Sequence, residues 1–319
     1  MGTPLQSTAN HMDVLVIGRN CLDYIAVVER LPAEDEKAPL AFRFVEGGGQ
    51  GGTAACCVAR LEGRVALVGK VGEDDEGARC LDRLHAFGVD TRFVEIVKGG
   101  RTPVAYLFVT KKNGRRTIIY EPNQLPKMEL TREHLAMLSS ANAVLLDPET
   151  TYLAETVKRN AGPHTRIIYD CERWKPGVDQ MMALADYFIP SATFLESRPL
   201  ANGPMEFCQQ VRRLNNDIKG QLIVTRGEDG AFYPHDGRLY RVPTPVVRAV
   251  DTTGAGDNFH GAFALAISFG FELHRAVRFA VATASLSCRD YGGRQGLPDV
   301  REALAVTGQI KEEIVCGPR

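Results

Sequence analysis

Short apolar runs and longer amphipathic stretches alternate along most of this chain. DVLVIG (Asp13 to Gly18), RVALVGKVG (Arg64 to Gly72), AVLLD (Ala143 to Asp147), RIIYD (Arg166 to Asp170), YFIP (Tyr187 to Pro190) and QLIVTRG (Gln221 to Gly227) each carry an apolar core of strand length. Such runs predict strands buried on both faces, as in a parallel sheet. Between them, helical spacing of apolar residues covers Thr53 to Leu61, Asp75 to Phe87, Arg132 to Leu138 and Met205 to Leu214. Strand and helix in alternation predict an α/β fold, with helices on both faces of a mostly parallel sheet.

One segment breaks this rhythm. Thr102 to Pro122 holds two β-rich runs around Asn113-Gly114, and Asn-Gly is the strongest short hairpin signal. Leu40 to Gly48 can add a strand to it. We therefore expect a small β lid built from insertions at about residues 36–48 and 101–122, within one domain spanning 1–319. There is no internal repeat and no low-complexity linker.

Composition narrows the function classes. The chain has 319 residues, 44% of them hydrophobic and 24% charged, with a net charge of -1. That balance offers no basic field for nucleic acid or an anionic membrane. No apolar run approaches the length of a membrane span. The first twelve residues, MGTPLQSTANHM, lack the apolar centre of a signal peptide and read as a frayed tail. The eight cysteines contain no CxxC pair. They read as buried thiols in a reducing cytoplasm.

The densest chemistry lies in DTTGAGDNFHGAF, Asp251 to Phe263. A β-rich run, Val246 to Val250, precedes it, and helical spacing follows it. The predicted element is a strand-to-helix turn. Gly254 and Gly256 let backbone approach a ligand closely. The first N–H groups of a helix lack internal partners and sit at the positive end of its dipole, so they accept an anion, above all phosphate. Asp257 in the first turn is expected to be ionised at pH 7 by the same field. A carboxylate beside a phosphate cradle can take a proton from an attacking hydroxyl. There is no GxxxxGK[ST] segment, which closes the P-loop route.

Three further motifs surround this one. Val45 to Gly63 places five glycines ahead of a helix. GRNCLD, Gly18 to Asp23, follows the first strand, where open α/β sheets bind ligands; the Asp23 carboxylate can accept two sugar hydroxyls. TRGEDG, Thr225 to Gly230, suits a nucleotide phosphate at a strand end, although Glu-Asp-Gly also makes a hairpin turn.

In this order the motifs resemble those of the ribokinase-like (PfkB-type) carbohydrate kinases, from Val14 to Pro298, with YGGRQGLP (Tyr291 to Pro298) adding support. The resemblance implies a ribokinase-like three-layer α/β sandwich with a β lid. It implies ATP and Mg²⁺, and a sugar or nucleoside hydroxyl as acceptor. By that likeness Asp257 matches the catalytic base, and Gly254, Ala255 and Gly256 match the anion hole. Asp23, Gly48, Gly49 and Thr53 match sugar-binding positions. Thr225, Gly227 and Gly230 match the nucleotide loop. Many members are activated by a monovalent cation such as K⁺; Asp251 and Thr253 are the matching positions.

Two departures stand out. The family usually has Asn where this chain has Thr53, and a hydroxyl cannot replace both the donor and the acceptor of an amide. The family also often carries NxxE, tied to Mg²⁺ and phosphate, where this chain reads Ser191-Ala192-Thr193-Phe194; Asp170 and Glu172 are the substitutes considered for magnesium. GGGQGGT, DNFHGAF and GGRQGLPD look most similar to the sulfofructose kinase subgroup. Arg19, Arg115 and Arg116 are candidates to face an anionic acceptor. The reading is ATP-dependent phosphorylation of a sugar hydroxyl, most simply a primary one. Its alternatives are a nucleoside or small-alcohol kinase of the same family, and a non-catalytic sugar or nucleotide sensor. A homodimer through the lid is expected, since exposed strand edges pair readily.

Overall fold

The computed structural model describes residues 12–197 and 206–316. Residues 1–11 of the stretch read as a frayed tail, and Met205, lie outside the described residues. In chain order the strands are β1 (Val14–Ile17), β2 (Cys21–Val28), β3 (Leu40–Gly48), β4 (Val65–Gly72), β5 (Val94–Val97), β6 (Val104–Thr110), β7 (Arg116–Tyr120), β8 (Ala143–Leu146), β9 (Arg166–Cys171), β10 (Tyr187–Pro190), β11 (Gln221–Leu222), β12 (Val224–Thr225), β13 (Ala231–His235), β14 (Arg238–Val242) and β15 (Glu313–Cys316). The helices are α1 (Gln50–Arg60), α2 (Asp75–Phe87), α3 (Arg132–Ser140), α4 (Ala154–Asn160), α5 (Val178–Leu184), α6 (Ala192–Ser197), α7 (Phe207–Asn215), α8 (Ala255–Ser268), α9 (Leu273–Ser287) and α10 (Val300–Thr307).

Seven strands form a parallel sheet in the order β11-β10-β9-β8-β1-β4-β5. Its period-2 side chains divide cleanly between two cores. Val14 and Val16 of β1 face α1, α8, α9 and α10, while Leu15 and Ile17 face α3, α4, α5 and α7. That division explains the unalternating apolar runs: both faces are covered, so neither can be polar. Strand order reverses at β1, which pairs β8 on one side and β4 on the other. Ligands bind off the carboxyl ends of strands at such a switch point.

The segments expected to form a lid lie in a four-stranded sheet, β3-β2-β6-β7. It holds both expected pieces and one unexpected strand. The segment Cys21 to Val28 pairs in parallel with β6 and antiparallel with β3. Asp23 therefore sits in a lid strand, not in a loop after β1. The Asn113-Gly114 turn is present, with Gly114 at φ 63. A second small antiparallel sheet, β12-β13-β14-β15, lies elsewhere. The strand expected over Val246 to Val250 does not form. Val246 is fully exposed, and Val250 and Asp251 donate their N–H groups to Cys288 O, at 2.7 and 3.2 Å, outside any ladder. The turn before α8 is held by that anchor instead. No helix among the described residues is long and apolar enough to cross a membrane.

The two helices that carry the site pack directly on each other. A Cβ added at Gly261 of α8 would lie 2.5 Å from Ala54 O of α1. We predict that Gly261→Ala pushes α1 from α8 and costs about 1–3 kcal/mol, the usual scale of overpacking. Thermal melting should register it; an unchanged melting temperature would show that the helices are not locked there.

Candidate active site

The turn ahead of α8 is built on Asp251, which is fully buried. Its Oδ1 accepts from Thr253 N at 2.9 Å and from Thr253 Oγ1 at 2.7 Å. Its Oδ2 accepts from Gly292 N at 2.9 Å, which ties the turn to the Tyr291–Arg294 loop. Asn258 Nδ2 donates to Gly293 O at 2.9 Å and adds a second tie. Gly254 caps the helix at φ 70, and a Cβ there would meet Gly293 Cα at 2.8 Å. Glycine is required twice over, by conformation and by space. At Gly256 a Cβ would meet nothing within 4 Å. Its open face, beside the first-turn N–H groups of Gly256 and Asp257, leaves room for an anion. Ala255 N already leans on Thr252 O at 3.3 Å.

Asp257 follows directly. Burial, and then the Asp170 carboxyl, push its pKa up to about 7, while His260 and Arg116 pull it back. The expectation of a fully ionised side chain is thus corrected. Desolvation and a neighbouring carboxylate outweigh the helix dipole in the ligand-free protein. Asp170 ends β9 and is itself raised well above the usual carboxylate range by burial and by Asp147. Asp147 follows β8, and burial raises it to about 6. His260 lies one turn along α8. Its Nδ1 is 2.6 Å from Gly256 O, and its Nε2 is 3.1 Å from Ile189 O and 3.5 Å from Asp170 Oδ1. It braces the peptide that carries Asp257 against the ends of β9 and β10. From the lid, Arg116 donates to Thr252 Oγ1 at 3.0 Å, and Gly114 O accepts from Thr252 N at 3.3 Å. The hairpin tip rests on the turn.

The glycine-rich segment has a different cause from the one expected. Gly51 and Gly52 lie inside α1, which begins at Gln50. A Cβ at Gly48 would sit 2.2 Å from Asp23 Oδ1. One at Gly52 would sit 2.4 Å from Asn20 Oδ1 and 2.7 Å from an Arg294 nitrogen. One at Gly47 would sit 2.2 Å from the other Arg294 nitrogen. These glycines make room for three buried polar side chains. Gly49 takes φ 82 at the start of α1. Thr53 is buried between Gly254 and Arg294, whose Nε is 3.5 Å from its Oγ1. Arg294 is 1% exposed, donates to Gly48 O at 2.8 Å, and has no carboxylate at ion-pair distance among the described residues. Asp23 is pushed up to about 6 by burial, against the pull of Cys21 and Arg294.

Thr225 ends β12, and Gly227 opens a tight turn into β13. TRGEDG is therefore also the hairpin turn its Glu-Asp-Gly allows. Gly230, at φ 91, has a Cβ position 1.9 Å from Val242 O and serves packing; Gly227, at φ 51, faces open space. Of the two residues considered for magnesium, Asp170 is buried beside Asp257. Glu172 is exposed and pairs with Arg173 at 3.8 Å. No group of three His, Cys, Asp or Glu among the described residues is placed to hold a metal by itself. Phe194, where the family's Glu is absent, is core, packed on Phe188 and Trp174.

Sequence reasoning gave no role to Asp147, His260, Asn20 or Arg294. Asp147 was visible as the acid that ends AVLLD. His260 was visible three residues after Asp257, on the same helix face. The other two carried no local signal.

Comparison with known proteins agrees with this geometry. The chain is 29% identical over 300 residues to a ribokinase of Bacillus subtilis, covering 92% of this chain and 99% of that protein. It is 29% identical over 301 residues to a deoxyribokinase of Salmonella typhi, covering 91% and 97%. Its fold is similar to Arabidopsis thaliana ribokinase complexed with ribose and ATP, with a TM-score of 0.76 and 26% identity over 93% of this chain and 99% of that one. The model of the pfkB family of carbohydrate kinases matches residues 12–300, and the chain belongs to that family.

Proposed function

We propose that this kinase transfers the γ-phosphoryl group of ATP to a sugar hydroxyl, most simply a primary one, with Asp257 as general base. One observation carries the reading. A carboxyl group with a pKa of about 7 stands in the first turn of α8, beside N–H groups that no helix bond uses. A base is most effective when its pKa lies near the working pH. The hydroxyl loses its proton to Asp257 Oδ as its oxygen attacks phosphorus in line. The N–H groups of Gly256 and Asp257, with Arg116 from the lid, take up charge on the phosphoryl oxygens. Thr225 and Gly227 border the nucleotide. Asp23 and the backbone around Gly48, Gly49 and Thr53 hold the sugar. The lid lies against the turn and excludes water, which suppresses ATP hydrolysis.

Magnesium fits this corner on electrostatic grounds. On top of burial, Asp147 raises the pKa of Asp170, and both raise that of Asp257, a cost that a divalent cation relieves. Asp170 and Asp147 would hold it, largely through waters. When bound, it neutralises phosphate charge. We also propose K⁺ near Asp251 and Thr253. Ancestry near the sulfofructose kinase subgroup rests on motif likeness. The buried free thiols suit a reducing compartment.

A homodimer through the lid is the second part of the proposal. Tyr106 and Ile119 face each other across β6 and β7 and are 46% and 60% exposed, and β3 and β7 are sheet edges. Ile119→Lys should convert a sedimenting dimer to monomer; a wild-type monomer would end this reading.

Two kinetic outcomes are expected. Asp257→Asn should lower kcat by about 10²–10⁴-fold, as measured by ADP release from MgATP. Near wild-type turnover would remove Asp257 from the role. In the wild type, kcat/KM should rise with pH through about 7, since the base works ionised. The same ionisation costs the ligand-free fold stability. The folded pKa lies above the unfolded one, so the penalty grows as pH rises from about 4 through about 7. Asp257→Asn should therefore melt above wild type at pH 8, and the gap should shrink at pH 5.

A further inference from the structure

A second feature of the carboxyl edge is not used by phosphoryl transfer. A cavity of about 250 Å³ opens off β1, β4 and β8, at the switch point of the sheet. Arg19, Lys70 and Lys127 line it, with Glu149 as the one acid among its lining residues. Two of these cations are nearly buried: the Arg19 side chain is 14% exposed and Lys70 is 10% exposed. Arg19 is only partly compensated. Arg19 lies 3.8 Å from Glu149, packs over the Tyr120 ring at 5.6 Å, and its buried Nε has no hydrogen-bond partner. Lys70 pairs with Glu95 at 2.9 Å, outside the cavity lining. Lys127 sits over the Tyr152 ring at 5.0 Å.

Asn20 adds a separate sign. It lines the same cavity and is 1% exposed, yet neither its amide nitrogen nor its oxygen has a partner. A buried amide left unbonded is costly, and cations gathered in one cavity repel one another. Both costs are recovered by one kind of guest: a polar molecule with a negative group. Asn20 joins the cavity to the site described above, since its Oδ1 lies against Gly52. Asp147 Oδ2 accepts the Arg19 N–H, and the field of Asp147 reaches Asp257.

We infer that the acceptor is a sugar or polyol carrying an anionic group, a phosphate, sulfonate or carboxylate, which docks among Arg19, Lys70 and Lys127. This rests on the sugar-kinase reading above. The anion sits at the end away from the reacting hydroxyl, so it fixes which hydroxyl faces Asp257. Lys70 and Lys127 act as specificity residues and take no part in proton transfer.

The test compares a ketohexose, its 6-phosphate, its 6-sulfonate and an aldonate of the same length, by ADP release from MgATP. In parallel, each compound is scored without ATP for its effect on the melting temperature. One anionic acceptor should exceed the neutral sugar in kcat/KM by about 10²-fold, the scale of a buried charge pair lost; which of the three wins identifies the anion. Lys70→Met and, separately, Lys127→Met should raise KM for that acceptor far more than they lower kcat. They should also cancel its stabilising effect. Lys127→Met, at the rim, decides the matter if Lys70→Met fails to fold. If the neutral ketohexose is used as well as its anionic forms, the inference falls and the kinase reading stands. If nothing turns over but an anionic sugar stabilises the protein in a Lys70-dependent way, the kinase reading falls and the anion site stands. If no anionic compound is either used or stabilising, the inference is overturned.

Discussion

Three carboxyl groups, two buried and one half-buried, crowd one corner of this protein, and most of the surrounding structure answers to that crowding. Asp147 follows β8, Asp170 lies near the end of β9 and Asp257 in the first turn of α8; burial raises each above the usual range, Asp147 adds to the rise of Asp170, and Asp170 adds to that of Asp257. Nothing in the fold itself gains from such an arrangement, since buried like charges cost stability. The neighbours limit the cost. The N-terminus of α8 offers positive dipole, Arg116 reaches in from the lid, and His260 stands against Asp170. A corner kept at this expense is a place where positive charge and phosphate arrive together, and perturbed carboxyls in a cleft are the usual mark of chemistry.

The same economy governs the glycine-rich segment. Glycine there reads naturally as backbone laid bare for a ligand. The structure instead packs side chains into the missing Cβ positions: Asp23 over Gly48, Asn20 and Arg294 over Gly52, and Arg294 again over Gly47. Polar side chains that are buried and yet keep bonding capacity need something small behind them. Arg294 also bears on Thr53, the position where an amide was expected. A guanidinium whose Nε lies 3.5 Å from that hydroxyl supplies donors near the place where the amide is lost.

How much of this was legible beforehand follows from range. The parallel sheet was readable because two covered faces force unbroken apolar runs, and the lid hairpin because Asn-Gly fixes its turn locally. The turn ahead of α8, with the base and cradle proposed for it, was readable because its residues lie within seven positions. The strand β2 was not, because Cys21 to Val28 reads like an extension of the loop after β1; its identity comes from pairing with β6, some eighty residues away. Val246 to Val250 was misread for the opposite reason. Its β-branched residues favour a strand, but no neighbour offers a ladder, and an anchor at Cys288 O takes the bonds. Asn20 and Arg294 meet their partners only across the fold, so no spacing in the chain could mark them.

The absent Asn-x-x-Glu pattern is best understood at the same level. Its place after β10 reads Ser191 to Phe194, and Phe194 is fully buried against Phe188 and Trp174. That position has been given over to the apolar core, and no small shift could return a carboxylate to the site from there. What phosphoryl transfer requires is a negative field at the carboxyl edge of the sheet, with oxygen ligands near enough to hold a hydrated cation. In the reading proposed above, the ends of β8 and β9 would supply both through Asp147 and Asp170. Magnesium takes few protein ligands and keeps its waters, so a change of strand changes which waters it keeps and leaves its task intact. On that reading the field would come from other strand ends with the chemistry kept, and the two aspartates that would carry it are also those that push the pKa of Asp257 up.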